Sequence, residues 1–240
     1  MQAGAHLQTD EILALVRGHN EREARLRREY YAYLLTQGPQ TETFEQHLEL
    51  YGCLARTGEG ATPEQIEEIE SLAGVSLPLE LRELYTLLGE LKVGNQVAPA
   101  IRLFSIPELV RRLRLQDSWE RFRSLGLIHM MSASWGNRRP ELEPDLGLLD
   151  AEEIGRLNAA YTCVGWIPDG HEAHRYIYFD RAGAFGTLYY HQDGLDGLYS
   201  ESLKPMQSRS LADTTLSSIV IEGLHEADRI LDMFEDGGEG

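Results

Sequence analysis

Residues 161–191 read YTCVGWIPDGHEAHRYIYFDRAGAFGTLYYH, and this stretch decides the fold. Tyr161 to Ile167 is apolar and β-branched, as a strand is. Pro168-Asp169-Gly170 supplies turn chemistry. His174 to Phe179 alternates as a half-buried strand does, and Asp180 to Gly183 is a second turn. Phe185 to His191 is the next strand, and Asp193-Gly194 turns the chain again. Aromatic residues crowd all three runs, as pleated, half-buried surfaces favour.

Working outward, the region before these strands alternates helices with isolated strand signals. Thr62-Pro63-Glu64-Gln65 joins a capping Thr, a Pro at the first helical position and a Gln three residues past the cap. Ile66, Ile69 and Leu72 give that helix its apolar stripe, and Gly74 stops it. Val75-Ser76-Leu77-Pro78 starts a second helix with Leu81, Leu84, Tyr85 and Leu88 inward, ending at Gly89. Ile101 to Ser105 reads as a strand running into a helix opened by Pro107, on which Arg111, Arg112 and Arg114 form a solvated face. Leu125 to Met131 reads as a further strand, and Asn137 to Gly147, rich in Pro, Gly and charge, as a loop.

The first 56 residues read as helical. Ile12, Leu13, Leu15, Val16, Leu26, Tyr30, Tyr33 and Leu34 recur at three- and four-residue steps. Thr41 is placed to cap a second helix whose inner face is Phe44, His47, Leu48 and Tyr51, and Gly58-Glu59-Gly60 reads as a flexible joint. Leu211 to Phe234 gives one or two closing helices. These signals predict an α+β protein: an N-terminal helical extension over 1–58, an α+β domain over 61–235 and a disordered tail over 236–240.

Composition narrows the function classes. The chain has 240 residues, 42% hydrophobic and 25% charged, near globular averages. Its net charge is −17, and residues 141–240 carry roughly 20 acids against 6 bases. Such a field repels nucleic-acid phosphates and anionic membranes and favours encounter with a basic partner. No run of about 18 apolar residues predicts a membrane span, and the first 17 residues lack the apolar core of a secretory signal. Two cysteines, Cys53 and Cys163, make no disulfide framework and lack metal-site spacing. A cytoplasmic protein is expected.

The order of elements resembles the SUKH superfamily, the fold of the yeast cell-wall-assembly regulator and of many bacterial toxin-immunity proteins. The likeness rests on Gly74-Val75-Ser76-Leu77-Pro78 within the helix pair, on Ile101-Arg102-Leu103-Phe104-Ser105-Ile106-Pro107-Glu108-Leu109, and on three parts of the strand region. Those are Val164-Gly165-Trp166 with Asp169-Gly170, Tyr176-Ile177-Tyr178-Phe179-Asp180, and Gly186-Thr187-Leu188-Tyr189-Tyr190. The resemblance implies a mixed or antiparallel twisted sheet flanked by helices, and a binding protein without a catalytic centre. It further implies a bacterial immunity protein that occludes a secreted toxin, such as a nuclease. Where the family often closes its second helix with Asn-Gly, this chain has Gly89-Glu90-Leu91.

Candidate chemistry is sparse. His171, Glu172 and His174, with His191 and Asp193 nearby, form the best candidate metal cluster, but imidazoles three apart on a strand point to opposite faces. No metal and no cofactor are expected. Ser132-Ala133-Ser134-Trp135-Gly136 lacks the Gly-x-Ser-x-Gly of a nucleophile elbow, and the glycines of the strand region form no phosphate cradle. Trp166 reads as core; Trp135 fits core or interface equally. The expected partner-binding residues are therefore the acids in turns at strand ends: Asp169, Glu172, Asp193, Asp196 and Glu201. Three functions stay open: an immunity protein with a basic toxin as partner, a regulatory or scaffold adaptor, and a metal-dependent hydrolase.

Overall fold

The computed structural model describes residues 6–94, 99–114, 125–132, 149–168, 173–195, 197–209, 211 and 214–236. Six strands form one antiparallel sheet in chain order: β1 (Ala55–Thr57), β2 (Leu91–Gly94), β3 (Pro99–Leu103), β4 (Tyr161–Pro168), β5 (Ala173–Asp180) and β6 (Phe185–His191). The expected α+β fold with a leading helix is thus present. The three strands of 161–191 pair over nearly their whole lengths, from Tyr161↔Asp180 to Pro168↔His174 and from Phe179↔Phe185 to Ala173↔His191.

The helices are α1 (Thr9–Gln37), α2 (Phe44–Tyr51), α3 (Pro63–Ala73), α4 (Leu79–Leu88), α5 (Ile106–Arg114), α6 (Leu127–Met131), α7 (Ala151–Ala160), α8 (Lys204–Ser208) and α9 (Leu216–Asp236). Thr62 caps α3 through a capping box with Gln65, and Gly74 ends it in the left-handed region at φ 66°. Leu81, Leu84, Tyr85 and Leu88 of α4 are buried as their spacing requires. Long α9 lies over β2 and β3, so close that a Cβ on Gly223 would come within 2.9 Å of Ile101 Cδ1.

Buried carboxylates join distant elements. Glu80 of α4 accepts the backbone N–H groups of Leu216 and Ser217 at 2.9 and 3.1 Å, satisfying donors that open α9. The Ser217 hydroxyl donates to the same carboxylate at 2.7 Å and accepts the Gln8 N–H at 3.0 Å. Glu23 of α1 accepts the Cys53 N–H at 2.7 Å. Asn20 donates to the Ala55 carbonyl and accepts the Ala55 N–H. Its amide thereby imitates a neighbouring strand on the open edge of β1, the edge that would otherwise invite foreign pairing.

Several sequence expectations are corrected. Leu125 to Met131 is not a strand: only Gly126 bridges to Thr162, and Leu127–Met131 forms α6. A short apolar run carries no periodicity to separate strand from helix, and Leu127, Ile128, Met130 and Met131 are all buried. The cap of α2 is Thr43 with Gln46, not Thr41. Residues 55–57 leave the helical segment to become β1, because β2 offers them a ladder. Gly58 to Gly60 is no free joint. Gly58 and Ala61 donate to the Leu88 and Tyr85 carbonyls at 2.8 Å, and a Cβ on Gly60 would lie 2.2 Å from the Thr86 oxygen. The closing helix starts at Leu216, not Leu211.

Candidate partner-binding surface

The strand register decides where the predicted acidic positions lie. Ala173 pairs with His191, so the chain leaves β6 at the sheet end where β4 stops and β5 begins. Asp193 falls in the short 3-10 turn Gln192–Leu195 that follows β6. The next turn, Leu198–Leu203, is π-helical and buries Leu198 and Leu203, while Glu201 on it is exposed. The Glu201 carboxylate folds back over Gly197, where an added Cβ would meet it at 2.8 Å. Asp169, Glu172 and Asp196 lie outside the described residues, as do His171, Trp135 and the Asn137–Gly147 stretch. Asp193 and Glu201 both follow β6 in the chain, on two successive turns.

His174 and His191 are not brought together. His174 pairs with Tyr190 and His191 with Ala173, so they occupy successive positions and project from opposite faces. His174 packs beside the Trp166 and Tyr176 rings, its Nδ1 buried without a hydrogen bond, and burial lowers its pKa. Among the described residues no three His, Cys, Asp or Glu side chains gather closely enough to hold a metal ion. Trp166 is half-buried against the core, edge-on to Phe104, with the Arg102 guanidinium 5.1 Å above its ring. Arg102 and Arg112 share the Glu108 carboxylate, so the basic face of α5 is partly neutralised.

Some acids are structural. Asp180 accepts the Ala182 and Ala184 N–H groups at 2.9 and 3.0 Å and shapes the β5–β6 turn, with Gly183 at φ 83°. At this other end of the sheet a cleft of about 590 Å³ opens between Gly74-Val75-Ser76, Asn158 and Asp180-Arg181. Two segments of the family resemblance, the glycine turn and the aspartate turn, meet in it. β4 spans eight residues, so about 23 Å separates the cleft from the end at which the chain leaves β6.

A family model described as the SMI1 / KNR4 family (SUKH-1) matches residues 60–206. The chain belongs to this family. No curated protein and no solved structure matches it. The SUKH-1 match runs from just before α3 into α8, so α1, α2, β1 and α9 lie outside it.

The sequence reading missed one surface in that outer part. Tyr51 is expected on the inner face of α2, and Tyr30 and Tyr33 belong to the apolar periodicity of α1, yet the structure leaves each about half exposed. Their spacing is helical, but periodicity does not reveal which part of a 29-residue helix has something to pack against. The excess length of α1 over its neighbours is the signal that could have found them. Among the described residues no helix is long and apolar enough to cross a membrane.

Proposed function

We propose that this SUKH-1 chain is an immunity protein that acts in the cytoplasm by binding, not catalysis. It occludes one cognate, basic toxin stoichiometrically. The observation that carries this reading is the family match over residues 60–206, since the SUKH resemblance implies protein binding. The charge of −17 supports it: an acidic chain attracts a toxin that is basic where it grips phosphate. Within the reading, Asp169, Glu172, Asp193, Asp196 and Glu201 form an acidic surface at one sheet end that imitates a phosphate backbone.

Two experiments test the reading. Co-expression with toxins encoded next to this gene should rescue growth for one of them, and the purified pair should form a stable one-to-one complex. Rescue from none of them would remove the reading's basis. Charge reversal of Asp193, Asp196 and Glu201 to Lys should slow association by roughly tenfold or more at low salt, with a smaller effect at high salt. Folding should change little, because exposed charges contribute about 0–1 kcal/mol each. An unchanged association rate would place the interface elsewhere.

A further inference from the structure

The strand register aligns three basic side chains in one row across the sheet. Arg56 of β1 stands opposite Lys92 of β2, Lys92 opposite Arg102 of β3, and Arg102 opposite Trp166 of β4. Directly opposed residues share a face, and neighbouring strands lie about 4.8 Å apart, so the three cations span about 10 Å. The other face of β2 and β3 carries Leu91, Val93, Ile101 and Leu103, all buried, with α9 over it. On the cationic face Arg56 and Lys92 are exposed, and the Arg102 side chain is 37% exposed.

Like charges directly opposite one another destabilise a sheet, and only Arg102 is compensated. It donates to both Glu108 oxygens at 2.9 and 3.0 Å, and its guanidinium lies over the Trp166 ring. Glu108 also accepts from Arg112 at 2.8 Å, so one carboxylate serves two guanidinium groups. Among the described residues Arg56 and Lys92 make no ion pair. Two further carboxylates are near: Glu90, whose Cγ packs 3.2 Å from the Cβ position of Gly58, and Glu59 in the turn after β1. Counting them, Arg56, Lys92, Arg102 and Arg112 are four cations against three carboxylates. On α1 the exposed charges on either side of Asn20, Arg17 and Glu21, offset each other. A cation on an edge strand deters foreign pairing, which accounts for Arg56. It does not account for Lys92, which lies on the inner strand β2 with an arginine on each side.

An uncompensated cation row fits an anion, and charge and size narrow the kind. Nucleic acid and anionic membranes are polyanions, and the net charge of −17 opposes their approach. A second copy laid symmetrically over the row would set Arg56 and Lys92 against their own kind. A cluster of two or three carboxylates on a protein surface matches a row about 10 Å long, because each arginine can grip a carboxylate through two N–H groups. Arg102 already holds Glu108 in that way.

We propose that the Arg56–Lys92–Arg102 row is a docking face for a carboxylate cluster on the partner protein. This inference rests on the proposed toxin-binding function. It adds to the acidic turns after β6 a second contact of opposite sign, on strands at the other side of the sheet. Two contacts of opposite sign fix one orientation of the partner, where a single acidic patch would accept many basic surfaces.

The test uses the full chain and the toxin that the growth-rescue assay identifies. Lys92 and Lys204 are the only lysines, both exposed, so labelling by an amine-reactive reagent reads this face directly with Lys204 as internal control. In the complex, Lys92 labelling should fall about tenfold relative to Lys204. Lys92→Glu should slow association about tenfold at low salt and less at high salt, while Lys92→Arg should bind as the parent does. Because Lys92→Glu relieves two like-charge pairs, it should also raise the melting midpoint by about 1–4 °C. A lower midpoint would show that the row is compensated and would overturn the proposal. Unchanged Lys92 labelling in a complex that does form, or unchanged association of Lys92→Glu, overturns this inference alone. A parent that binds no toxin overturns it together with the proposed function. Binding of a twelve-nucleotide single-stranded DNA that is lost in Lys92→Glu would make the occupant nucleic acid and refute the proposal. So would a concentration-dependent dimer in sedimentation that the same variant abolishes.

Discussion

Replacing Glu80 by Gln should destabilise the protein by about 3 kcal/mol, although the side chain keeps its shape. Glu80 is 4% exposed, and its carboxylate accepts three hydrogen bonds: from the Leu216 N–H on one oxygen, and from the Ser217 N–H and hydroxyl on the other. A Gln offers one oxygen. Its NH₂ must then face a donor, leaving at least one opening N–H of α9 without an acceptor. A hydrogen bond to a charged group is worth about 1.5–3 kcal/mol and an orphaned buried donor costs about 1–3, and the favourable placement of a carboxylate at a helix start is also lost. The terms overlap, which brings the total to about 3. For a chain of this size each kcal/mol moves the midpoint by about 2–4 °C. Calorimetry at pH 7.5 should therefore show Tm lowered by about 6–12 °C. Hydrogen exchange should rise at Leu216 and Ser217 and also at Gln8, whose N–H depends on the Ser217 hydroxyl. A Tm within 2 °C of the parent, with Gln in place, would show that the carboxylate does not hold α4 and α9 together.

Other outcomes follow from local geometry. Gly165→Ala would put a Cβ 2.3 Å from the Arg102 carbonyl oxygen and should cost about 3 kcal/mol. Gly155→Ala, exposed in α7 with nothing within 4 Å, should instead stabilise by about 0.5–1 kcal/mol; equal effects in denaturant melts would refute the packing argument. His174 is held below its usual pKa by burial, so the folded state takes up its proton less readily than the unfolded state. Stability should then fall as pH drops below about 6.5, the unfolded value, and His174→Gln should flatten that part of the Tm–pH curve; an unaltered slope would count against it. Burial pushes the Cys163 thiol up to about 12, with desolvation the largest cause. In a Cys53→Ser background it should not react with a disulfide reagent at pH 8 until the protein unfolds, and rapid labelling of the native state would contradict its burial.

The sequence by itself determined whatever was decided within a few residues. Thr62, Pro63 and Gln65 determine where α3 begins, because the capping atoms lie three positions apart. Gly74 and the Asp180–Gly183 turn end their elements through their own backbone and side-chain chemistry. The pattern of 161–191 gave the three paired strands, and the order of such signals was enough to place the chain beside SUKH proteins. Of the site, the sequence could locate acids beyond strand ends, but it could not separate solvent-facing charges from structural ones. Glu80 and Glu23 look no different from Glu201 in the sequence. Glu80 is buried only because α9, 136 residues away, brings it two backbone donors, and Glu23 because Cys53, 30 residues on, brings it one. The same holds for Leu127–Met131, whose apolar run becomes helix, and for residues 55–57, which become strand when β2 arrives. Tyr30, Tyr33 and Tyr51 have the spacing of core residues and stay exposed because α1 outruns the helix it packs against. Burial is a property of what comes to lie opposite a residue, and only the tertiary structure supplies that partner.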